Sequence, residues 1–535
     1  MHEWWKKSVV YQIYPRSFCD SNGDGIGDIP GIISKLDELS ELGVDLLWLS
    51  PVYASPNEDN GYDISDYCAI HPDFGTMEDM DRLIAEAKAR GMGIIMDLVI
   101  NHTSTAHPWF QASRNPESPY RNYYFWRDGG KGGKLPNNWT GFFGGKCWQY
   151  DERSGQYYLH LFAPHQPDLN FHEPRVLQEI EKILRFWMEK GIAGFRCDVI
   201  NIIWKNSLEN GRKKLILTGL EHYHSTEDNH RILRRLRRIC DEYNAYTVGE
   251  TVFVDTKMAC DLCAPERREL NTVFGFEHME CDQVIVKWLK TPHRWGKFMS
   301  TLARWQKEVP WNTIYLENHD QPRSIPRFGS QKYPTESGKL LATLLLTLRG
   351  TPYLYQGQEI GMTDFDFTSM ADVRDVESIN VHGLLKSAHV PAKLRWKIIR
   401  ATSRDNARTP MQWDGSHGAG FTTGTPWLGI NANHRRLNVA AQKNDPQSLR
   451  SWYKTLIALR RENPTLLWGE FELLEATDTL CAYRRVGEGE TLTVILNCSD
   501  EARTVPYTGT LLISSAADGY TGTLQPWEAV ILRGE

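Results

Sequence analysis

Nothing in this 535-residue chain is long and apolar enough to cross a bilayer: the strongest run, Leu340 to Leu348, falls far short of the ~20 residues that a spanning helix needs. Charge of one sign does not accumulate either. Lys plus Arg number 61 against 67 Asp plus Glu, a net charge of −6 with no basic block, so nucleic acid is not an expected partner. At the N-terminus, Met1-His-Glu-Trp-Trp-Lys-Lys runs directly into a strand-like Val9-Val-Tyr-Gln-Ile-Tyr. The apolar h-region and small-residue cleavage site of a signal peptide are missing there, which predicts a cytoplasmic chain without a membrane partner. The ten cysteines lack a framework spacing, as expected of reduced thiols. Cys260-Asp-Leu-Cys263 has the C-x-x-C form, but no second pair completes a metal or redox site. No internal repeat or low-complexity segment is present.

What the chain does have is length and aromatic rings. At the usual 100 to 200 residues per domain it holds roughly three domains, and it can bury a core without disulfides or metal. Trp, Tyr and Phe (19, 22 and 19) make up 11% of the residues. Such rings suit sugar faces, which pair a C–H surface with hydroxyls, and they suit large cores equally well.

Short apolar runs alternate with helix-period segments, the pattern of a parallel sheet wrapped by helices. Eight strands are expected: Val9 to Tyr14, Asp45 to Leu49, Gly93 to Ile100, Gly194 to Ile200, Ala245 to Gly249, Thr272 to Phe276, Thr313 to Glu317 and Thr351 to Tyr355. Helical segments such as Met77 to Arg90, Pro174 to Lys190 and His230 to Tyr243 fall between them. The fold class read from this is α/β, a (β/α)8 TIM barrel. An open dinucleotide-binding sheet is disfavoured because no Gly-x-Gly-x-x-Gly follows the first strand. Two interruptions are too long for plain connections. Residues 101–172, rich in Trp, Tyr, Gly and Asn, predict an inserted domain. About Asp364 to Pro446 precedes an amphipathic last barrel helix at Leu449, Trp452, Tyr453, Leu456 and Leu459. From residue 467 to 535 the pattern alternates, as in Thr491-Leu-Thr-Val-Ile-Leu-Asn497, which predicts a C-terminal antiparallel β-domain. The barrel itself then comprises residues 1–100 and 173–466.

In such a barrel the reactive groups sit where strands end at the C-terminal face. The third strand ends Asp97-Leu-Val-Ile-Asn-His102, the fourth Phe195-Arg-Cys-Asp198, the fifth Thr247-Val-Gly-Glu250, and the seventh Leu316-Glu-Asn-His-Asp320. Any one of these could be a turn former or helix cap. Four strand ends delivering Asp or Glu with His or Arg to one rim are harder to attribute to capping. Arg196 and Asp198 lie two apart on a strand and so on the same face, where a guanidinium should lower the carboxylate's pKa and hold it ionised. A second carboxyl kept protonated on the next strand would complete the acid–nucleophile pair of a retaining glycosidase.

The stretches Asp97-Leu-Val-Ile-Asn-His102, Gly194-Phe-Arg-Cys-Asp-Val-Ile-Asn201, Thr247-Val-Gly-Glu-Thr251 and Glu317-Asn-His-Asp-Gln-Pro-Arg323 resemble the four motif regions of the α-amylase superfamily, glycoside hydrolase family 13. Gln166-Pro-Asp-Leu-Asn170 is similar to a further motif of its oligo-1,6-glucosidase branch. The likeness extends through Asp59-Asn-Gly-Tyr-Asp63, Tyr355-Gln-Gly-Gln-Glu-Ile-Gly361 and Arg404-Asp-Asn-Ala-Arg-Thr-Pro-Met-Gln-Trp413, and so across essentially the whole chain. It implies Asp198 as nucleophile, Glu250 as general acid/base and Asp320 as transition-state stabiliser. Asp59, Tyr62, His102, Arg196, His319 and Arg404 would line the pocket for the terminal glucose, with Tyr62 stacked on the sugar. Val199 matches the branch acting on α-1,6 bonds, although valine is also an ordinary strand former. Gln358, Cys197 and the stretch Asn206 to Asp228 depart from the usual family pattern.

The implied activity is that of an exo-acting α-glucosidase on isomaltose and short isomalto-oligosaccharides, with no organic cofactor and as a monomer. Trehalose-6-phosphate hydrolases resemble the chain almost as well, and a broader α-glucosidase acting on maltose or sucrose is the other alternative. Sucrose isomerases typically depart from the Asp-Val-Ile-Asn pattern. A catalytically silent subunit like the transporter heavy chains would have a membrane anchor and generally lack the full carboxylate set. Finally, Asp20-Ser-Asn-Gly-Asp-Gly-Ile-Gly-Asp28 spaces oxygen ligands as in an EF-hand loop, except that position 12 is Gly31. A structural Ca²⁺ or Mg²⁺ held by Asp20, Asn22, Asp24, the Ile26 carbonyl and Asp28 is expected; the alternative is a glycine-rich turn held by Asx hydrogen bonds.

Overall fold

A computed structural model of the protein describes residues 3–534 except 131, 215, 285, 517 and 518. Met1 and His2, the start of the segment in which no signal peptide is expected, lie outside the described residues. Among the described residues no helix is long and apolar enough to cross a membrane.

Eight short parallel strands form the centre: β1 (Val10–Ile13), β2 (Leu46–Leu49), β3 (Gly93–Leu98), β4 (Gly194–Cys197), β5 (Tyr246–Glu250), β6 (Thr272–Phe274), β7 (Asn312–Ile314) and β8 (Gly350–Tyr355). Hydrogen bonds join them in the order β6-β5-β4-β3-β2-β1-β8-β7. Side chains span the gap between the two ends. Thr313 Oγ1 donates to the Val273 carbonyl (2.7 Å) and the Tyr315 hydroxyl to the Gly275 carbonyl (3.0 Å), closing the (β/α)8 barrel expected from the sequence. Outer helices follow the strands, among them Met77–Ala89, Pro174–Glu189, Glu227–Glu242, Trp295–Glu308, Pro334–Thr347 and Leu449–Glu462. The first of these opens on a capping box between Thr76 and Asp79.

Many of the aromatics fill this barrel. Phe274 packs edge-on against Tyr353 (centroids 4.8 Å apart), Trp48 lies against both, and Trp5 stacks on Tyr246 from below (5.2 Å). The Tyr246 hydroxyl is satisfied by Thr272 and Tyr353, whereas the buried Trp48 Nε1 finds no hydrogen-bond partner among the described residues. At the start of β4, a Cβ on Gly194 would lie 1.9 Å from the Tyr246 carbonyl oxygen; only glycine lets β4 and β5 approach this closely.

The strands expected from the sequence are present, but several are shorter than predicted. β3 ends at Leu98 rather than Ile100, β4 at Cys197 rather than Ile200, and β7 at Ile314 rather than Glu317. In β4 the cause is local: Val199 has φ +36°, outside the extended region, so the ladder stops before it. These departures are where polar side chains leave the sheet for the rim.

Residues 101–172 carry a three-stranded antiparallel sheet of Trp126–Arg127, Gln156–Leu159 and Trp148–Asp151. Its apolar cluster, with Phe125, Trp139, Trp148 and Leu161, also takes in Val199, Ile202 and Tyr223 from the connection after β4. The atypical stretch 206–228 packs on this insertion: Trp139 Nε1 donates to the Glu209 carbonyl (2.8 Å) and the His222 ring stacks on Trp139. From Glu470 onward five antiparallel strands form the C-terminal sheet. Buried Arg485 ties it to the barrel by donating to the carbonyls of Thr347 and Leu466. All ten cysteines are free thiols; Cys260 donates to the Glu308 carbonyl and Cys263 is buried.

Candidate active site

Strand register builds the centre of the site. Arg196 on β4 lies opposite Asp97 on β3 and Val248 on β5, and Glu250 follows Val248 by two residues on the same face. The buried Arg196 guanidinium therefore meets three carboxyls: Asp97 Oδ1 at 2.9 Å, Asp198 Oδ1 at 2.5 Å and Glu250 Oε2 at 2.8 Å. Glu250 Oε2 also accepts the Val199 N–H (3.2 Å). With two donors on Oε2, the proton of a neutral Glu250 belongs on Oε1.

Burial pushes Glu250 up to about 8, against Arg196, which lowers it, and with Asp198 and Asp320, which raise it further. Asp198 is raised by burial to about 6, although Arg196 pulls it down. Arg196 lowers Asp198 as expected but does not bring it below the ordinary carboxylate range, because burial raises it more. The ordering survives: at neutral pH Asp198 is ionised and Glu250 protonated. Burial opposes ionisation of Asp320 too, but the neighbouring Arg404 and Arg408 hold it well below the usual range.

Around this centre the loops after β7 and β8 form a second charged layer. Asp320 Oδ1 takes Arg408 Nη2 at 2.7 Å and Arg404 Nη1 at 3.4 Å, and Arg404 Nη2 also reaches Asp59 (3.4 Å) and Asp375 (2.8 Å). Tyr62 donates its hydroxyl to Asp97 Oδ2 (3.0 Å) and its ring lies parallel to His319, centroids 5.4 Å apart. Gln12 Nε2 meets His319 Nδ1 at 2.8 Å, which places the His319 proton on Nε2, facing the Tyr62 hydroxyl (2.8 Å) and Asp320 (3.2 Å). Burial lowers His319 to about 3 and His102 to about 4, so both rings are neutral. His102 Nε2 lies 3.1 Å from the Tyr62 carbonyl and 3.1 Å from Gln166, which also donates to Asp59 (3.2 Å).

Every sequence-derived pocket residue except Val199 thus enters one contiguous polar network. Val199 contributes its N–H to that network, while its side chain lies in the apolar cluster under the insertion, in a left-handed conformation rather than in a strand. Asp97, Gln166 and Arg408 stood inside the quoted motifs without a role. Gln12 and Asp375 carried no signal: one lies mid-strand, the other in the long segment after β8.

The Asp20 loop is separate from this network. Asp20 accepts from the N–H groups of Asn22, Gly23 and Gly25 and from Thr422, and Asp28 accepts from Ser21 and caps the next helix at Gly31. Among the described residues no three acidic, His or Cys side chains converge as a metal-binding group. Asp20 and Asp28 are nonetheless buried, and burial raises Asp28, with Asp20 adding to the rise.

Barrel, strand-end carboxyls and shared guanidinium together define a glycoside hydrolase. Residues 12–469 match the family model of the alpha amylase catalytic domain, and residues 467–531 match a domain of unknown function, DUF3459. The oligo-1,6-glucosidase of Parageobacillus thermoglucosidasius is 47% identical, over 99% of each chain. The trehalose-6-phosphate hydrolase of Bacillus subtilis is 41% identical, over 99% of this chain and 98% of that one. Among solved structures, trehalulose synthase from Pseudomonas mesoacidophila superposes with a TM-score of 0.95 at 40% identity, over the whole of both chains. The chain belongs to the α-amylase family, glycoside hydrolase family 13, within its glucosidase-related members.

A reaction using an ionised Asp198 and a protonated Glu250 is confined between their pKa values. kcat/KM should rise through about 6 as Asp198 ionises and fall through about 8 as Glu250 loses its proton. A profile flat from pH 5 to pH 9, roughly one unit beyond each limb, would contradict this protonation order.

Proposed function

We propose that the protein is an exo-acting, retaining α-glucosidase of the oligo-1,6-glucosidase type. It would release terminal glucose from isomaltose and short isomalto-oligosaccharides, as a cytoplasmic monomer without an organic cofactor. The observation that carries the chemistry is the sharing of Arg196 by Asp198 and Glu250. Two carboxyls on one guanidinium are close enough for retention, for which the separation is about 5 Å. In the first step an Asp198 carboxylate oxygen bonds to the anomeric carbon, the glycosidic bond breaks, and Glu250 delivers its proton to the departing oxygen. In the second, the Glu250 carboxylate takes a proton from water, whose oxygen displaces Asp198 and restores the α configuration. Asp320, kept anionic by its arginines, would stabilise positive charge on the ring in both transition states.

The linkage reading is supported by Val199 and by the relatives, of which the 47%-identical protein is an oligo-1,6-glucosidase and the 41%-identical one a trehalose-6-phosphate hydrolase. A sugar phosphate would need an unengaged cation at the mouth. Lys287 there is paired with Glu377, and Arg404 and Arg408 are engaged by Asp59, Asp320 and Asp375, which favours a neutral aglycone. The intact carboxylate set speaks against a silent subunit. Glucose release from isomaltose, maltose, sucrose and trehalose 6-phosphate decides among these readings. Isomaltose should give the highest kcat/KM, and Asp198→Asn and Glu250→Gln should each lose at least about a thousandfold. Near-normal turnover by either variant, or preference for trehalose 6-phosphate, would overturn the reading.

Val199 packs beneath the insertion. Val199→Thr should shift the isomaltose-to-maltose ratio of kcat/KM toward maltose; an unchanged ratio would leave Val199 as packing alone.

For the loop 20–28 we propose a structural Ca²⁺ or Mg²⁺ held by Asp20, Asn22, Asp24, the Ile26 carbonyl and Asp28. Support comes from the oxygen-only donor set and from two buried carboxylates whose hydrogen-bond partners are N–H and O–H groups rather than cations. Exhaustive chelation should lower the melting temperature. An unaltered melt with no metal by elemental analysis would reduce the loop to an Asx-bonded turn.

A further inference from the structure

Phe253 stands three residues beyond Glu250, in the loop that follows β5, with 49% of its surface exposed. A half-open phenyl ring gives up part of the stabilisation that burial would bring. Its backbone is strained as well. With φ at +53° the residue lies in the left-handed region, which favours glycine and which a bulky side chain seldom enters. Exposure and strain together, just past the strand that carries Glu250, need a reason other than packing.

The loop is pinned from two sides. Asn201 brackets Val252, its amide oxygen accepting the Val252 N–H (3.0 Å) and its NH₂ donating to the Val252 carbonyl (2.9 Å). His224 Nε2 donates to the same carbonyl at 2.8 Å. Val252 thereby packs against the apolar cluster of the insertion, while Phe253, the next residue, stays half open. His224 belongs to the stretch 206–228 that departs from the family pattern, and its ring stands edge-on to Phe253, centroids 6.3 Å apart. The open ring also ends a row. Phe162 lies 5.2 Å from the His102 ring, Phe142 lies 4.9 Å from Phe162 and 13° from parallel, and Phe253 lies 6.4 Å from Phe142 and 18° from parallel. With Phe142 and Phe162 partly buried, the row leads from a histidine of the predicted sugar pocket to the surface.

We infer that Phe253, held out by Asn201 and His224, is the ledge on which the second sugar of the substrate stacks, an inference that rests on the glucosidase reading. Glu250 protonates the oxygen that departs with the aglycone. A ring three residues beyond Glu250 therefore belongs to the leaving side of the bond, whereas His102, at the other end of the row, belongs to the terminal glucose. A phenyl face suits the C–H face of a pyranose and leaves the hydroxyls at its edge in water. An uncharged hexose gains from such a ledge, and a leaving group without a sugar ring does not.

Phe253→Gly is the variant to test, because glycine takes φ +53° without strain and only the ring is lost. kcat/KM is measured on α-glucosyl fluoride, which carries no second sugar, and on whichever disaccharide the unaltered protein cleaves fastest. The ratio of disaccharide to fluoride should fall roughly tenfold, as for one aromatic contact, and Phe253→Trp, which restores a flat face, should retain most of it. An unchanged ratio in Phe253→Gly would overturn the inference. So would an equal loss on both substrates, the mark of a ring that only supports the loop after Glu250. Preference of the unaltered protein for a disaccharide other than isomaltose would overturn the linkage reading and leave this ratio equally decisive, so the two fail separately. Cleavage of the fluoride alone would overturn both.

Discussion

One buried guanidinium organises this protein's chemistry. Buried Arg196 stands between Asp97, Asp198 and Glu250, one positive charge among three carboxyls. Burial disfavours the charged form of each carboxyl, and Glu250, raised further by Asp198 and Asp320, is the one that stays protonated at neutral pH. The proton that a glycosidase donates is thus held in place by burial first and by neighbouring carboxylates second. In the second layer Arg404 and Arg408 keep Asp320 ionised, and Arg404 is also paired with Asp59 and Asp375.

The barrel supplies the distances. Parallel register sets Asp97, Arg196 and Val248 side by side, and the two-residue repeat of the strands brings Asp198 and Glu250 to the same face beyond them. Ending β4 early at Val199 matters here. A β-branched residue at φ +36° is strained, and the conformation aims the Val199 N–H at Glu250 Oε2 while burying the side chain under the insertion. Backbone strain, packing of the inserted segment and the location of the acid's proton are coupled through that single residue.

Much of this was legible in the sequence and some was not. The eight strands and the charged groups at their ends could be read because each is a local pattern: an apolar run closed by Asp, Glu, His or Arg. The protonation states could not, since Asp198 two residues from Arg196 looks like a depressed carboxylate until it is seen to be buried, with Asp97 and Glu250 on the same guanidinium. Asp375 and Gln12 come from segments with no distinguishing spacing, and their roles arise only when the chain folds them against Arg404 and His319. Many of the aromatics fill the barrel interior, around Trp48, Tyr246, Phe274 and Tyr353, or the core of the insertion, while Tyr62, Tyr14 and Phe143 lie against the charged network.

The central claim is that Asp198 is the group that forms a bond to the sugar. A slow fluorinated glucosyl fluoride, which accumulates the covalent intermediate, tests it directly: after proteolysis, mass spectrometry should find one hexosyl adduct on the peptide containing Asp198, absent from Asp198→Asn. A stable adduct on any other carboxylate, or turnover of the reagent with inversion and no adduct at all, would contradict the account.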